Sequence, residues 1–392
     1  MAYINARLEQ LYPEMVELRR YFHQHPELSF QEVNTPKKIS EYLTNLGIEV
    51  KTGVGGRGVV GYIRGGRPGK TVALRADFDA LPIQDEKDVP YKSTVPGVMH
   101  ACGHDAHTTI LLIVAKVLSE IKDELEGNVV LIHQFAEEIV PGGAKPMIEA
   151  GCLEGVDAIF GTHLWSPIPV GEVGYRSGAF MAGADGFDIE IIGKGGHGAT
   201  PHATVDPIMI GTSIVQQLQQ IISRRIDPMK PAVLTVAKFH AGEAFNVIPT
   251  TARISGTVRT FDADVQEDII KHMKHIIAST CEHAGATYSF NYEKGYPAVI
   301  NHQAETELLM KNAINILGKE NVKQIDPCMA AEDFSYYVQK VPGTYFFTGA
   351  GNKDAGITYP HHHAKFDIDE KSMLIAAKIL ASTAIDYLNS NK

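Results

Sequence analysis

Cysteine is scarce in this chain of 392 residues. Its four cysteines, Cys102, Cys152, Cys281 and Cys328, lie far apart with no Cys-x-x-Cys pair. That spacing argues against a disulfide scaffold and for a reducing, cytoplasmic setting. No uninterrupted apolar run approaches the ~20 residues of a membrane span. The opening Met-Ala-Tyr-Ile-Asn-Ala-Arg has no basic segment followed by an apolar run and a cleavage site. Positive charge is also in deficit: the formal net charge of -10 argues against a nucleic-acid or acidic-membrane partner and favours solubility. Repeats and low-complexity segments are absent, so a soluble cytoplasmic protein is expected.

A chain of this length is too long for one ordinary core and suggests two domains. Apolar residues at helical spacing predict an amphipathic helix from Leu8 to Phe22, ended at His25-Pro26, and a second helix over Pro36 to Leu46. Short apolar runs then alternate with helical patterns at 58–63, 71–78, 128–135 and 157–163, as in an α/β layered domain with buried strands. Around Gly183 the pattern changes. Strand 187–191, helix 207–222, strands 233–239 and 252–259, helix 264–283 and strand 287–292 follow the β-α-β-β-α-β order of a ferredoxin-like sandwich. Beyond Tyr296 the first style returns, with helices expected at 305–317, from 332 to 338 and at 370–388, and a strand at 344–348. The expected architecture is an α/β domain with a mixed sheet flanked by helices, built from residues 1–183 and 297–392. An α+β domain at 184–296 interrupts it.

The densest cluster of chemically capable side chains is Met99 to Thr109, where Cys102, His104 and His107 fall within six positions. Thiolate and imidazole suit a borderline-soft divalent ion; a buried free cysteine beside helix-capping polar groups is the plainer alternative. Other polar groups close the predicted strands. Arg75 to Asp79 follows the run 71–74, Glu137-Glu138 follows 129–135, and His163 follows 158–162. Ligands of open α/β sheets bind just outside the carboxyl ends of the strands. Candidate metal ligands are therefore Cys102, His104, Glu138, His163 and one of His361 to His363, all outside the inserted domain. Five donors exceed a structural zinc site and suit a two-metal centre that lowers the pKa of a water and polarises a carbonyl. Glu137, next to a ligand, is the candidate general base, although two adjacent glutamates are commonly just a solvated pair.

The motifs Met-His-Ala-Cys-Gly-His-Asp (99–105), Arg-Ala-Asp-Phe-Asp-Ala-Leu-Pro (75–82), Phe-Ala-Glu-Glu (135–138) with Gly142-Gly143-Ala144, and Phe-Gly-Thr-His (160–163) resemble a dimetal metallopeptidase family. That family contains aminoacylase, carboxypeptidase G, hippurate hydrolase and the indole-acetyl-amino-acid hydrolases. The resemblance runs from His23-Gln24-His25-Pro26-Glu27-Leu28 to His362-His363-Ala364-Lys365-Phe366-Asp367, and the Cys-x-His pattern resembles the amidohydrolase branch. It implies that Cys102, His104, Glu138, His163 and His362 hold two divalent metal ions per subunit, zinc or manganese first and cobalt or nickel also tolerated, with Glu137 as general base. His362 is chosen because it aligns with the family's His-x-Pro-Lys-Phe/Tyr-Asp, although Ala364 replaces the usual proline. His107 and His100 are expected to support the site or pack the helix.

In the inserted domain the resemblance implies that His197, in a Gly-rich turn, stabilises the oxyanion of a partner subunit's substrate. It also implies that Asn246 and Arg259 bind the substrate carboxylate, which suits a guanidinium fork. A homodimer through the insert is then expected. The function expected is a metal-dependent amidohydrolase that cleaves N-acyl-amino acids. A carboxypeptidase or dipeptidase on short peptides, and a non-catalytic conjugate-binding protein, are the alternatives.

Overall fold

The computed structural model describes residues 1–390. By internal packing the chain separates into two units, one made of Met1–Phe180, Val299–Pro327 and the chain from Asp333 onward, the other of Met181–Ala298 with Cys328–Glu332.

The first unit is built on an eight-stranded mixed sheet. Its strands include β1 (Glu49–Val54), β2 (Gly58–Arg64), β3 (Arg67–Asp77), β4 (Glu126–Gln134) and β5 (Ala158–Pro169). The spatial order is β1-β2-β4-β3-β5, then Gly343–Gly351, Val173–Tyr175 and Val322–Gln324. The centre is parallel: β3 pairs with β4 and β5, and β5 pairs with Gly343–Gly351. All nine residues of Gly343–Gly351 are buried, which explains the near-continuous apolar runs of these strands. β1 escapes the apolar pattern because it is an edge strand without a buried residue.

The single helix expected over 8–22 is two, α1 (Ala2–Gln10) and α2 (Tyr12–Gln24). Pro13 stands in the first turn of α2, a position that tolerates its missing N–H. α3 (Asn34–Asn45) follows, then α4 (His104–Glu120), in which fourteen of seventeen residues are buried. This nearly all-round burial sinks the amino end of α4, with its histidines, into the interior. The helix expected from 332 reduces to Ser335–Val338.

The second unit is the ferredoxin-like sandwich. Gly183–Ile192 and Thr251–Thr260 are the inner strands, Ala232–Ala241 and Thr287–Tyr296 the edges, all antiparallel. Helices Pro207–Arg224 and Ala263–Ala284 supply Ile214, Leu218, Ile269, Met273 and Ile277 to a core shared with Phe187, Ile189, Ile191 and Ile254. Asp206 and Asp262 cap the two helices by accepting backbone N–H groups. Among the described residues no helix is long and apolar enough to cross a membrane.

Charge is buried in quantity in the first unit. Arg19, 1% exposed, donates to Asp105 (2.9 Å) and Asp367 (2.9 Å), and His23 lies 2.8 Å from Asp105 and 3.3 Å from Asp85. Burial by itself would raise the Asp105 pKa, but Arg19 and His23 reverse this and hold it well below the usual range. Asp367 is held down in the same way against its burial, chiefly by Arg19. Carboxylates with depressed pKa values contribute stability that is complete above about pH 4 and is lost as pH falls through their folded values. Removing one partner strands the others: Arg19→Met should cost about 3–5 kcal/mol in denaturant unfolding at pH 7. Much of that deficit should disappear on acidification, because the wild type then loses the same pairs.

Candidate metal centre

Of three neighbouring parallel strands, β3 and β4 end at one level, whereas β5 runs on to Pro169, so that His163 lies within its strand instead of closing it. Asp77 of β3 is in register with Gln134 of β4, and Arg75 of β3 with Gly161 of β5, two residues before His163. The segments leaving β3 and β4 are thereby brought beside His163. Gly103, at φ +100°, precedes α4 in a left-handed conformation natural to glycine, and it separates Cys102 from His104 by a sharp turn. Ala136 carries φ +50° and His362 φ +64°; each stands in a segment that delivers a polar side chain to the same place.

Of the five expected ligands, Cys102 and His104 come from the amino end of α4, Glu138 from the bend after β4, His163 from within β5, and His362 from the loop before the last helix. The donor atoms of Cys102, His104 and His163 lie within 4.8 Å of one another, as do those of Cys102, Glu138 and His362, and those of His104, Glu137 and Glu138. Cys102 is common to the first two groups. The Sγ of Cys102 is 3.4 Å from Nε2 of His163, and Nε2 of His362 is 3.4 Å from Oε2 of Glu138. Carboxylate oxygens of Glu137 and Glu138 stand 4.0 and 3.9 Å from Nε2 of His104.

The supporting hydrogen bonds fix which atoms face inward. Nδ1 of His104 lies 3.0 Å from the Asp79 carbonyl and 3.1 Å from its Oδ1, so it donates and leaves Nε2 buried without a hydrogen-bond partner. His163 donates from Nδ1 to the Leu164 carbonyl at 2.8 Å, and again Nε2 is turned toward Cys102. Oε1 of Glu138 is likewise buried and unpartnered. Buried polar atoms need partners, and Nε2 of His104 and Oε1 of Glu138, left unpartnered beside the Cys102–His163 contact, fit divalent metal ions.

Electrostatics agree with that fit. Burial first, then Glu138, Glu137 and Asp77, push the Cys102 thiol well above its ordinary pKa, so a thiolate here needs a cation brought from outside. Burial, then His107 and His361, hold His163 far below the usual range, in the neutral form that ligates. His104 differs: burial opposes its charge, yet Asp77, Asp79 and Glu138 outweigh it and raise the pKa to about 10, so this ring must give up its Nε2 proton before that nitrogen can ligate.

His107 offers no free nitrogen. Leu164 N–H donates to Nε2 at 2.9 Å, so Nδ1 carries the proton given to Asp77 at 2.7 Å. Asp77 is also paired with Arg75 at 2.6 Å, which places Arg75 in a buried ion pair. The three consecutive histidines part company. His361 stacks on Trp165 at 4.7 Å and accepts from Ser166 N–H, His363 stacks on Tyr359, and His362 alone joins the donors, anchored by its N–H to the Ala101 carbonyl. Sequence reasoning passed over Asp79. Its alternation with Asp77 just beyond a strand end was the available signal, because it puts two carboxylates on one face.

In the second unit His197 pairs with Val247, and Gly198 N–H donates to the Asn246 carbonyl, so His197 and Asn246 share one corner. Nδ1 of His197 accepts from Ala199 N–H, which leaves Nε2 as the donor. Arg259 is placed elsewhere, in register with Ala184 near the end where the chain enters and leaves the sheet. It donates to Thr257 and the Val258 carbonyl.

Residues 73–386 match Peptidase family M20/M25/M40. The chain is 55% identical to YhaA of Bacillus subtilis (strain 168) over 384 residues, 98% of this chain and 97% of that one. It is 44% identical to thermostable carboxypeptidase 1 of Saccharolobus solfataricus, over 96% of this chain and 95% of that protein. An N-acyl-L-amino acid amidohydrolase of Geobacillus stearothermophilus is 46% identical over 76% of this chain and 81% of its own length. Among solved structures, the YXEP protein of Bacillus subtilis, a dinuclear metal-binding peptidase from the M20 family, superposes with a TM-score of 0.84 at 35% identity, over 97% of this chain and 99% of that one.

Among the three neighbouring histidines the site predicts a clear difference. His362→Ala should lower bound divalent metal per chain after dialysis, measured by elemental analysis, with affinity falling at least about tenfold, whereas His363→Ala should leave it unchanged.

Proposed function

This chain belongs to peptidase family M20/M25/M40, a family of hydrolases of amide bonds, and on that premise we propose that it cleaves N-acyl-amino acids to a carboxylic acid and a free amino acid. The observation that carries the reading is the convergence of Cys102, His104, Glu138, His163 and His362 with Glu137 beside them. When bound there, two divalent ions, zinc or manganese first among the metals this donor set tolerates, would supply Lewis acidity and lower the pKa of water.

Glu137 takes the proton of the attacking water and returns it to the amide nitrogen as the amine leaves. Its place, one residue from a ligand and within 4.0 Å of His104, suits a base held at the reacting atoms. His197 donates from Nε2 to the developing oxyanion, and Asn246 and Arg259 hold the amino-acid carboxylate. The strand from Thr251 to Arg259 spans about 26 Å at ~3.3 Å per residue, so His197 and Asn246 act together from one corner while Arg259 acts from the other end. That division suits a homodimer in which the corner serves the partner's site. Fully exposed Phe245 and half-exposed Val247 flank Asn246, as apolar residues at a protein contact would.

The carboxypeptidase among the relatives supports a second reading, cleavage of short peptides, with the same roles for these residues. Rates on N-acetyl-amino acids and on free dipeptides, compared side by side, decide between them; faster cleavage of dipeptides reverses the assignment. Glu137→Gln should lose turnover by at least about 1,000-fold while keeping its metal. Mixing Glu137→Gln with His197→Ala chains should restore roughly a quarter of wild-type activity if two-fold dimers exchange subunits, because one of the two sites in each hybrid is whole. Mixtures that stay as inactive as their parents, in chains shown to exchange, sink the role of His197 in the partner's site.

A further inference from the structure

Glu137 and Glu138 stand on a bend whose backbone is held from below by a single loop, Ser29–Glu32. Glu32 is wholly buried, and its Oε1 accepts the N–H of Ala136 at 2.9 Å. Three residues earlier in the same loop, Ser29 donates to Oδ2 of Asp79 at 2.7 Å, and that oxygen also accepts the N–H of Glu138 at 3.0 Å. The loop thus holds the backbone on both sides of Glu137, directly at residue 136 and through Asp79 at residue 138.

The loop is itself fixed. Glu27 accepts the N–H groups of Val33, Asn34 and Thr35 at the start of α3, and Ala80 N–H donates to the Glu27 carbonyl. Arg57 donates to the Glu32 carbonyl, and its Nε lies 3.9 Å from Oε2 of the same residue. On the far side of the bend, Gly143 N–H donates to the Ala136 carbonyl at 3.0 Å. A Cβ on Gly143 would come within 1.9 Å of the Phe135 carbonyl, so only glycine allows that approach.

Ala136 needs this support. At φ +50° an alanine occupies a left-handed conformation that L-residues adopt at a cost of about 1 kcal/mol or more. Relaxed to an ordinary conformation, the chain would turn the next two side chains away from the donor cluster.

We infer that Glu32 is a positioning residue for the hydrolytic site: by accepting the Ala136 N–H it holds the left-handed turn that aims Glu137 at the reacting atoms and Glu138 at the metal donors. It touches neither substrate nor metal. This inference rests on the roles given above to Glu137 and Glu138, and its test separates the two.

In metal-saturated enzyme, Glu32→Ala should lower kcat about 30-fold or more with KM within about threefold. The zinc dissociation constant, read by competition with a chromophoric chelator, should rise about tenfold. Glu32→Gln keeps a carbonyl oxygen where Oε1 stands and should stay within about threefold of wild type in both. Adding Ala136→Gly to Glu32→Ala should recover about fivefold or more of the lost kcat, because glycine takes the left-handed conformation without strain. Unchanged kcat and zinc affinity in a folded Glu32→Ala protein overturn the inference, as does a Glu32→Gln as damaged as Glu32→Ala, or an Ala136→Gly addition that recovers nothing. If Glu137→Gln proves active, the role of Glu137 fails, but the zinc measurement still judges the hold on Glu138.

Discussion

The candidate site hangs on one buried carboxylate. Asp79 accepts from Ser29, from Nδ1 of His104 and from the N–H of Glu138, and so joins the loop before α3, the amino end of α4 and the bend after β4. Burial works against its ionisation, yet the hydrogen bond and charge of His104, with the Glu138 N–H and Ser29, hold its pKa below the ordinary value. An ionised acceptor with its lone pairs engaged is a rigid junction. The inward-facing nitrogen of His104 and the course of the chain at Glu138 both depend on it.

Around this junction the unit uses two kinds of scaffold. Parallel strands set the level at which Asp77, Gln134 and His163 emerge, to the accuracy of their register. Short segments in left-handed or sharply turned conformations, at Gly103, Ala136 and His362, then turn individual side chains into the centre. Regular elements are stable without help from the site, whereas these turns hold only through hydrogen bonds such as Ala136 to Glu32 and His362 to Ala101. Precision is thereby concentrated in residues distant in sequence from the donors they serve.

Much of this was legible in the sequence. Buried parallel strands wrote themselves as apolar runs, and the βαββαβ order of the second unit emerged from its periodicity. The rule that ligands bind beyond the carboxyl edge pointed to the bend after β4 that bears Glu138, whereas His163 lies within β5, whose run to Pro169 carries no continuous apolar signal. The features that stayed hidden were either exposed or non-local. The edge strand β1 carries no apolar alternation, the break between α1 and α2 depends on one proline, and the short helix near 335 is too brief for a period to register. Asp79 and Glu32 read as ordinary acidic residues, because each is distinguished by a backbone N–H more than fifty residues away. The separation of His197 and Asn246 from Arg259 along the same sheet also depended on register that no motif encodes.

The donors are gathered from widely spaced parts of the chain. Cys102 and His104 open α4, Glu138 and His163 follow β4 and lie on β5, and His362 arrives only about 200 residues later, after a whole α+β unit has been threaded between. A metal ion gripped by Cys102, Glu138 and His362 would therefore close a very long covalent loop, in the manner of a reversible cross-link. Any ion bound only by the folded chain stabilises it by mass action. The loop that bears His362 stands to gain most, because the His362 imidazole is still half exposed and its neighbour His361 is already fastened in a stack of aromatic rings. Catalytic metal and structural clasp would then be one and the same.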